Sequence, residues 1–359
     1  MYHRWLTATA VALLALGSTG AVAAAAVSAG ASGAAHQHNV PRYAVLVHHG
    51  RSAGPAAAGL KFKNWTFTYK YNATTYKDVL LGTNPKKGKS STIAVEIIPV
   101  KLTYKKLTTD PLSEIGGTGM NVVESTIASP LFQTGIDFDQ GGTDLGNTQY
   151  EDAVQRASFW GTVSGKPGYH VLLGQPTVEP EVSLTVPTKD GTTGSPFGTE
   201  VIEASVNWVD AQIQPLLTSV PTGVLPIYVV TNAYMLEGAT SGCCIGGYHS
   251  YNGSLPYDVF SYIQTAGTFS QDVSGLSHEL AETINDPTTA NNSPCGIYEV
   301  GDPLETEANY GDYPYTLGAM TYHLQDIALP PYFGAPASTS VNDWSTFQGT
   351  TLSVCQNGS

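Results

Sequence analysis

The sequence predicts an α+β fold in which a Lys-rich, mainly β N-terminal part packs on an acidic C-terminal part of mixed strands and helices. Three observations carry this reading. Residues 62–71 and 91–104 have the apolar alternation of half-buried strands, residues 273–284 carry apolar side chains at helical spacing, and the charge changes sign along the chain. With 359 residues the chain is long enough for two domains or one large one. Its net charge of −13 excludes a nucleic-acid partner, because a phosphate backbone requires Lys or Arg to displace its counterions.

The N-terminus reads as a signal peptide over residues 1–23. Arg4 gives a positive start, Leu6 to Leu16 an apolar centre, and Ala21-Val22-Ala23 a small-residue cleavage site. The apolar stretch is shorter than the ~20 residues of a membrane span, so an exported protein with no stable span is expected. Residues 24–40, rich in Ala, Gly, Ser and His, read as a flexible leader. The Lys-rich β part then covers 41–110, with strands at 43–47, 62–71 and 91–104 and a turn from Gly82.

Composition shifts near residue 110, and 111–359 form the acidic part. Residues 141–160 open on a glycine turn and continue as a helix through Ala153, Ala157 and Trp160. Strands begin at Tyr169 and Val182. Thr199 to Gln214 has helical spacing at Ile202, Val206, Val209 and Ile213, stopped by Pro215. Val224 to Leu236 is one near-continuous apolar run of buried-strand type. Beyond Lys189 there is no Lys or Arg against 17 Asp and Glu, so any buried carboxylate there needs a proton, a metal ion or the basic N-terminal part to neutralise it.

The four cysteines, Cys243, Cys244, Cys295 and Cys355, suit two disulfides in an exported chain, since the CxxC spacing of a zinc cluster is missing. A vicinal bridge needs a strained ring. The favoured pairing therefore joins one of Cys243 and Cys244 to Cys295 and the other to Cys355.

Chemistry is concentrated in SHELAETINDP, Ser277 to Pro287. Val273, Leu276, Leu280 and Ile284 fall on one helical stripe. On the other side His278 and Glu282, at i and i+4, project together as two ligands of one metal, with Asp286 continuing the row. Glu279 points elsewhere, as does the general base of HExxH zinc hydrolases, which polarises metal-bound water. Glu282 in place of the second His makes the site harder and more anionic, so calcium is the alternative to zinc. An exposed acidic helix face with an incidental His is the competing explanation. The preceding strand, Tyr257 to Gln264, reproduces the strand-then-helix order of zincin metallohydrolases, in which the helix follows an edge strand. Asp302 is the first candidate for a third ligand and His249 the second, followed by Glu299 and His323, while Tyr298 or Tyr322 could stabilise an oxyanion.

Ser129–Gln133, Gly141–Trp160, Gly168–Gly174, Gly247–Tyr251 and the HELAE…DP…ExGD pattern resemble a group of secreted bacterial proteins. More locally, His278 to Pro287 and Glu299 to Asp302 are similar to the plant EXORDIUM, or phosphate-induced, proteins. The plant pattern has a Cys just after the acidic turn, where this chain has Pro303 and Leu304, with Cys295 before it. The resemblance implies an extracellular setting and singles out His278, Glu279, Glu282, Asp286, Glu299 and Asp302. These readings lead to a zincin-like C-terminal part and a secreted zinc peptidase acting on a peptide or cell-wall polymer. The alternative is a non-catalytic wall-binding protein with a structural calcium.

Overall fold

The computed structural model describes residues 28–29, 41–47, 59–238, 243–253 and 255–356. The signal peptide and, but for Ser28–Ala29, the leader lie outside the described residues. The described chain is mixed α+β, mostly strand with few helices.

Its framework is a curled 13-stranded sheet. Seven strands make up its central part: β1 (Arg42–Val47), β2 (Ser90–Tyr104), β3 (Val201–Ser205), β4 (Val224–Thr231), β5 (Ala233–Leu236), β6 (Ile245–Tyr251) and β7 (Pro256–Tyr262). They lie side by side as β2-β4-β7-β6-β5-β3, with β1 added parallel to β6. β2, β4 and β7 are parallel, and β6 runs antiparallel to β7. Strands from residues 41–110 and from the acidic part thus interleave in one sheet. One apolar core joins them, including Leu80 and Ile97 with Val229, Phe260 and Leu280.

The strand at the hairpin Asn64–Tyr71/Thr74–Leu81 buries Phe67 and Tyr69 and exposes the positions between them, as the alternation predicts. Lys70 and Lys77 are on its exposed side. Two expected elements differ. Residues 199–214 are not one helix: Val201–Ser205 pairs parallel with Ala233–Leu236, and only Val206–Ile213 is helical. Sheet pairing overrides helical spacing there, although Val206, Val209 and Ile213 are buried as expected. The run 224–236 is two strands rather than one, broken at Asn232, whose φ of 43° turns the chain. Its side chain accepts the Gln264 amide at 3.0 Å, which supports that left-handed turn.

β7 is also not the edge strand that a zincin arrangement implies, because it has a partner on each side. It leads into helix α1 (Ser274–Asn285), which packs on β6 and β7. Asp286 ends the helix, where Pro287 disfavours a further helical residue. Every residue of α1 is buried, on the polar side as on the apolar stripe. That excludes the exposed acidic face.

The expected disulfide pairing is corrected. Cys243 bonds to its neighbour Cys244, and Cys295 bonds to Cys355. The two pairs sit in different apolar clusters, the first beside Tyr43, Val201 and Phe269, whereas Cys295 packs on the main core. The Cys295–Cys355 bond has a sequence separation of 60 and holds the C-terminal segment, where the Cys355 amide also donates to the Tyr332 carbonyl at 3.1 Å. No helix among the described residues is long and apolar enough to cross a membrane.

Replacing both Cys295 and Cys355 by Ser should lower stability by about 2–4 kcal/mol, the usual effect of opening a native loop of this size. Urea titration followed by tryptophan fluorescence reads it, and an unchanged midpoint would contradict a constraining role for this bridge.

Candidate metal centre

The polar side of α1 faces β6 and the loop that follows residue 298. On β6, residues 247 and 249 lie on the same face, two apart. Gly247 leaves room for Glu279, since a Cβ there would come within 2.7 Å of Glu279 Oε1. His249 fills the next position, 3.3 Å from Glu279 Oε2 and 3.2 Å from Glu282 Oε2 through Nδ1. Its other nitrogen, Nε2, is 3.6 Å from Glu299 Oε2.

Glu282 sits between the two imidazoles. Its Oε1 accepts the Gly301 amide at 3.0 Å, which leaves Oε2 to face His249 Nδ1 and, at 3.1 Å, His278 Nε2. Gly301 itself is packed against the His278 ring, where any Cβ would overlap the imidazole. His278 Nε2 is also 3.6 Å from Asp302 Oδ1.

The His278 tautomer follows from its other side. Gln325 Nε2 donates to the Tyr310 carbonyl at 3.1 Å, so its Oε1 is the atom facing His278 Nδ1 at 2.6 Å. Nδ1 must then carry the hydrogen, and in the neutral ring the Nε2 lone pair points at Glu282 and Asp302. A hydrogen bond that fixes the distal nitrogen is what metal-ligating histidines commonly have.

His249 Nε2 and Glu279 Oε1 are buried without a hydrogen-bond partner, and His278 Nε2 and the Glu299 carboxyl have only Glu282 to pair with. Leaving such atoms unpaired is costly, and here they converge. His249, Glu282 and Glu299 each bring a ligand atom within 4.8 Å of the others, as do His278, Glu279 and Glu282, and again His278, Asp302 and Glu305. His249, His278, Glu279, Glu282 and Glu299 are at most 2% exposed, whereas Asp302 and Glu305 are partly exposed and mark the open end.

The electrostatics match a site that lacks positive charge. Burial, then the Glu282 charge, pushes the Glu279 and Asp302 carboxyls well above the usual range, and Glu299 likewise. Burial also raises Glu305 to about 7. Burial opposes ionisation of Glu282 too, but the His278 and His249 imidazoles outweigh it and hold its carboxyl well below the ordinary value. Burial likewise disfavours the His278 imidazolium, yet Glu282 dominates and lifts it to about 9. Protons thus neutralise the cluster unless a cation replaces them, as metal binding does. Arg42, ion-paired with Glu237, is a cation that acts on Asp302 and Glu305, from the partly exposed side.

Of the residues singled out in the sequence, His278, Glu279, Glu282, His249, Glu299 and Asp302 come together. Asp286 does not join them: its carboxylate accepts the amides of Ala290 and Asn291 at 3.0–3.2 Å and closes the turn after α1. His323 pairs with Asp272 through Nδ1 at 2.7 Å. Tyr298 packs on Phe333, and Tyr322 is a buried core residue. Sequence reasoning missed Glu305, whose side chain also accepts the Tyr43 amide. Its signal was the DPLE spacing: Pro303 opens a single 3-10 turn, Asp302–Leu304, which brings residues three apart to one side. It also missed Gln325, Glu151 and Asp258, the last two being buried carboxylates behind the cluster.

Compared with family models, curated proteins and solved structures, the chain matches none.

Gly301→Ala should destabilise the fold by about 1–3 kcal/mol, as overpacking does, because the methyl group must displace the His278 ring. Gly116→Ala, with nothing near its position, is the control. Equal melting temperatures for the two variants would contradict the packing described.

Proposed function

We propose that this cluster binds a divalent metal ion and that the protein is an exported metal-dependent hydrolase, acting on peptide bonds of a peptide or cell-wall polymer. The observation that carries this reading is the convergence of buried imidazole and carboxylate atoms around Glu282, with His249 Nε2 and Glu279 Oε1 left unpartnered. His278, Asp302 and Glu305 would hold the ion: their ligand atoms lie within 4.8 Å of one another, and the 3.6 Å from His278 Nε2 to Asp302 suits atoms each about 2.0–2.2 Å from zinc. Imidazole among the donors favours zinc over calcium. When bound, zinc supplies Lewis-acid polarisation of water and of a substrate carbonyl.

The chain's own residues supply the rest. Glu279 is beside His278 and Glu282 and has an unpartnered oxygen, so it is the group to take a proton from the attacking water and return it to the leaving amine. Gln325 holds the His278 tautomer, and Gly301 fixes the Glu282 carboxylate. The zincin-like reading extends to the helix and the strand before it. Because β7 is internal, substrate would approach from the Asp302 and Glu305 side rather than along an edge strand. Export rests on the composition of the N-terminal segment and on the disulfides.

A second reading, a wall-binding protein with structural calcium, is favoured by one observation. Carboxylates outnumber imidazoles in the cluster, and oxygen-rich sets suit calcium.

Glu279→Gln should retain the metal and lower hydrolysis of a peptide library by about 100- to 10,000-fold, because an amide cannot accept the proton. His278→Ala should lose the metal. Elemental analysis alongside the library screen checks both. Unchanged hydrolysis by Glu279→Gln would exclude this mechanism, and a protein that keeps calcium but not zinc would favour the second reading.

A further inference from the structure

The ligands assigned above leave the enclosed end of the cluster unexplained. His249 presents Nδ1 to two carboxylate oxygens, of Glu282 at 3.2 Å and Glu279 at 3.3 Å. An ionised carboxylate only accepts, so Nδ1 carries the hydrogen and the lone pair of the neutral ring is on Nε2. That nitrogen points away from Glu282, toward Glu299 Oε2 at 3.6 Å. An ion at His278, Asp302 and Glu305 is on the wrong side of the ring to use it.

His249 is 1% exposed and Glu299 2%, and His249 Nε2 has no hydrogen-bond partner. A separation of 3.6 Å is too long for a hydrogen bond between an imidazolium and a carboxylate. It is close to the spacing of two atoms that share one metal ion at about 2.0–2.2 Å from each. Glu282 also brings an oxygen within 4.8 Å of ligand atoms of His249 and Glu299. His249 and Glu299 thus form a ligand set of their own beside Glu282, apart from His278, Asp302 and Glu305.

We propose that the cluster holds two divalent cations: one at the open end on His278, Asp302 and Glu305, and a second, enclosed one on His249 Nε2 and the Glu299 carboxylate, with Glu282 between them. This rests on the metal-centre reading above and adds to it a second ion, separated from the first by Glu282 and the His249 ring. The enclosed ion would anchor β6 to the loop carrying Glu299 and so set the position of Glu282. The donor set, imidazole nitrogen plus carboxylate, suits zinc or manganese.

The test loads chelator-stripped full-length protein with Mn²⁺ and with Zn²⁺, and measures bound metal per chain after gel filtration. Two equivalents are expected. Glu299→Gln should lose one equivalent, and Asp302→Asn should weaken the other equivalent instead. Circular dichroism of each variant confirms that it is folded. A wild-type protein that stops at one equivalent overturns the second site. If that single equivalent is lost in Asp302→Asn and kept in Glu299→Gln, the single-metal reading still stands. No uptake of either metal overturns both.

Discussion

Everything at the centre of this molecule depends on how Glu282 is neutralised. Its carboxylate is buried inside a helix with no solvent-facing side, one oxygen held by the Gly301 amide and the other placed between two imidazoles. Burying a charge is tolerated only when it is paired or coordinated. The imidazoles meet that need in part, but Glu279, Glu299, Asp302 and Glu305 add more negative charge than they can offset. Arg42 is ion-paired with Glu237 and acts from the exposed side. Protons or metal ions must supply the remainder, and the unpartnered atoms aimed inward favour metal ions.

The architecture holds these groups on stiff supports. Parallel β2, β4 and β7 give a buried sheet, β6 adds an antiparallel strand, and α1 lies across β6 and β7. His249 and Gly247 are on the sheet, His278, Glu279 and Glu282 on the helix, and Glu299, Asp302 and Glu305 on the following loop. Gln325 comes from a hairpin strand, Met320–Gln325, that packs against the helix. The helix and sheet side chains thus have backbones fixed by pairing or packing, which is what a site of defined geometry requires. The two glycines that touch the cluster serve the same end by absence of a side chain.

Much of this was legible in the sequence. The i, i+4 spacing of His278 and Glu282, the apolar stripe of the same helix and its stop at Pro287 are local features, and local features are what periodicity reports. Asp302, Glu299 and His249 could be named because few candidates occur near the motif. Their grouping could not, because it depends on β6 lying against α1. Asp286 misled for the same reason: it continues the helical row, but the chain turns at residue 286 and its carboxylate serves the backbone of Ala290 and Asn291. The cysteine pairing was set by which apolar cluster each residue enters, and β3 by a partner strand some thirty residues later. Glu305 and Gln325 act through tertiary neighbours and carry weak local marks.

The central claim, that cations complete the buried cluster, is tested most directly by thermal unfolding of chelator-stripped protein with and without added Zn²⁺ or Mn²⁺. A ligand that binds only the folded chain stabilises it by about 2.7 kcal/mol at one hundred times its dissociation constant. The account predicts a melting temperature that rises with ion concentration for the wild type and far less for His278→Ala. Superimposable unfolding curves with and without the ions would contradict it.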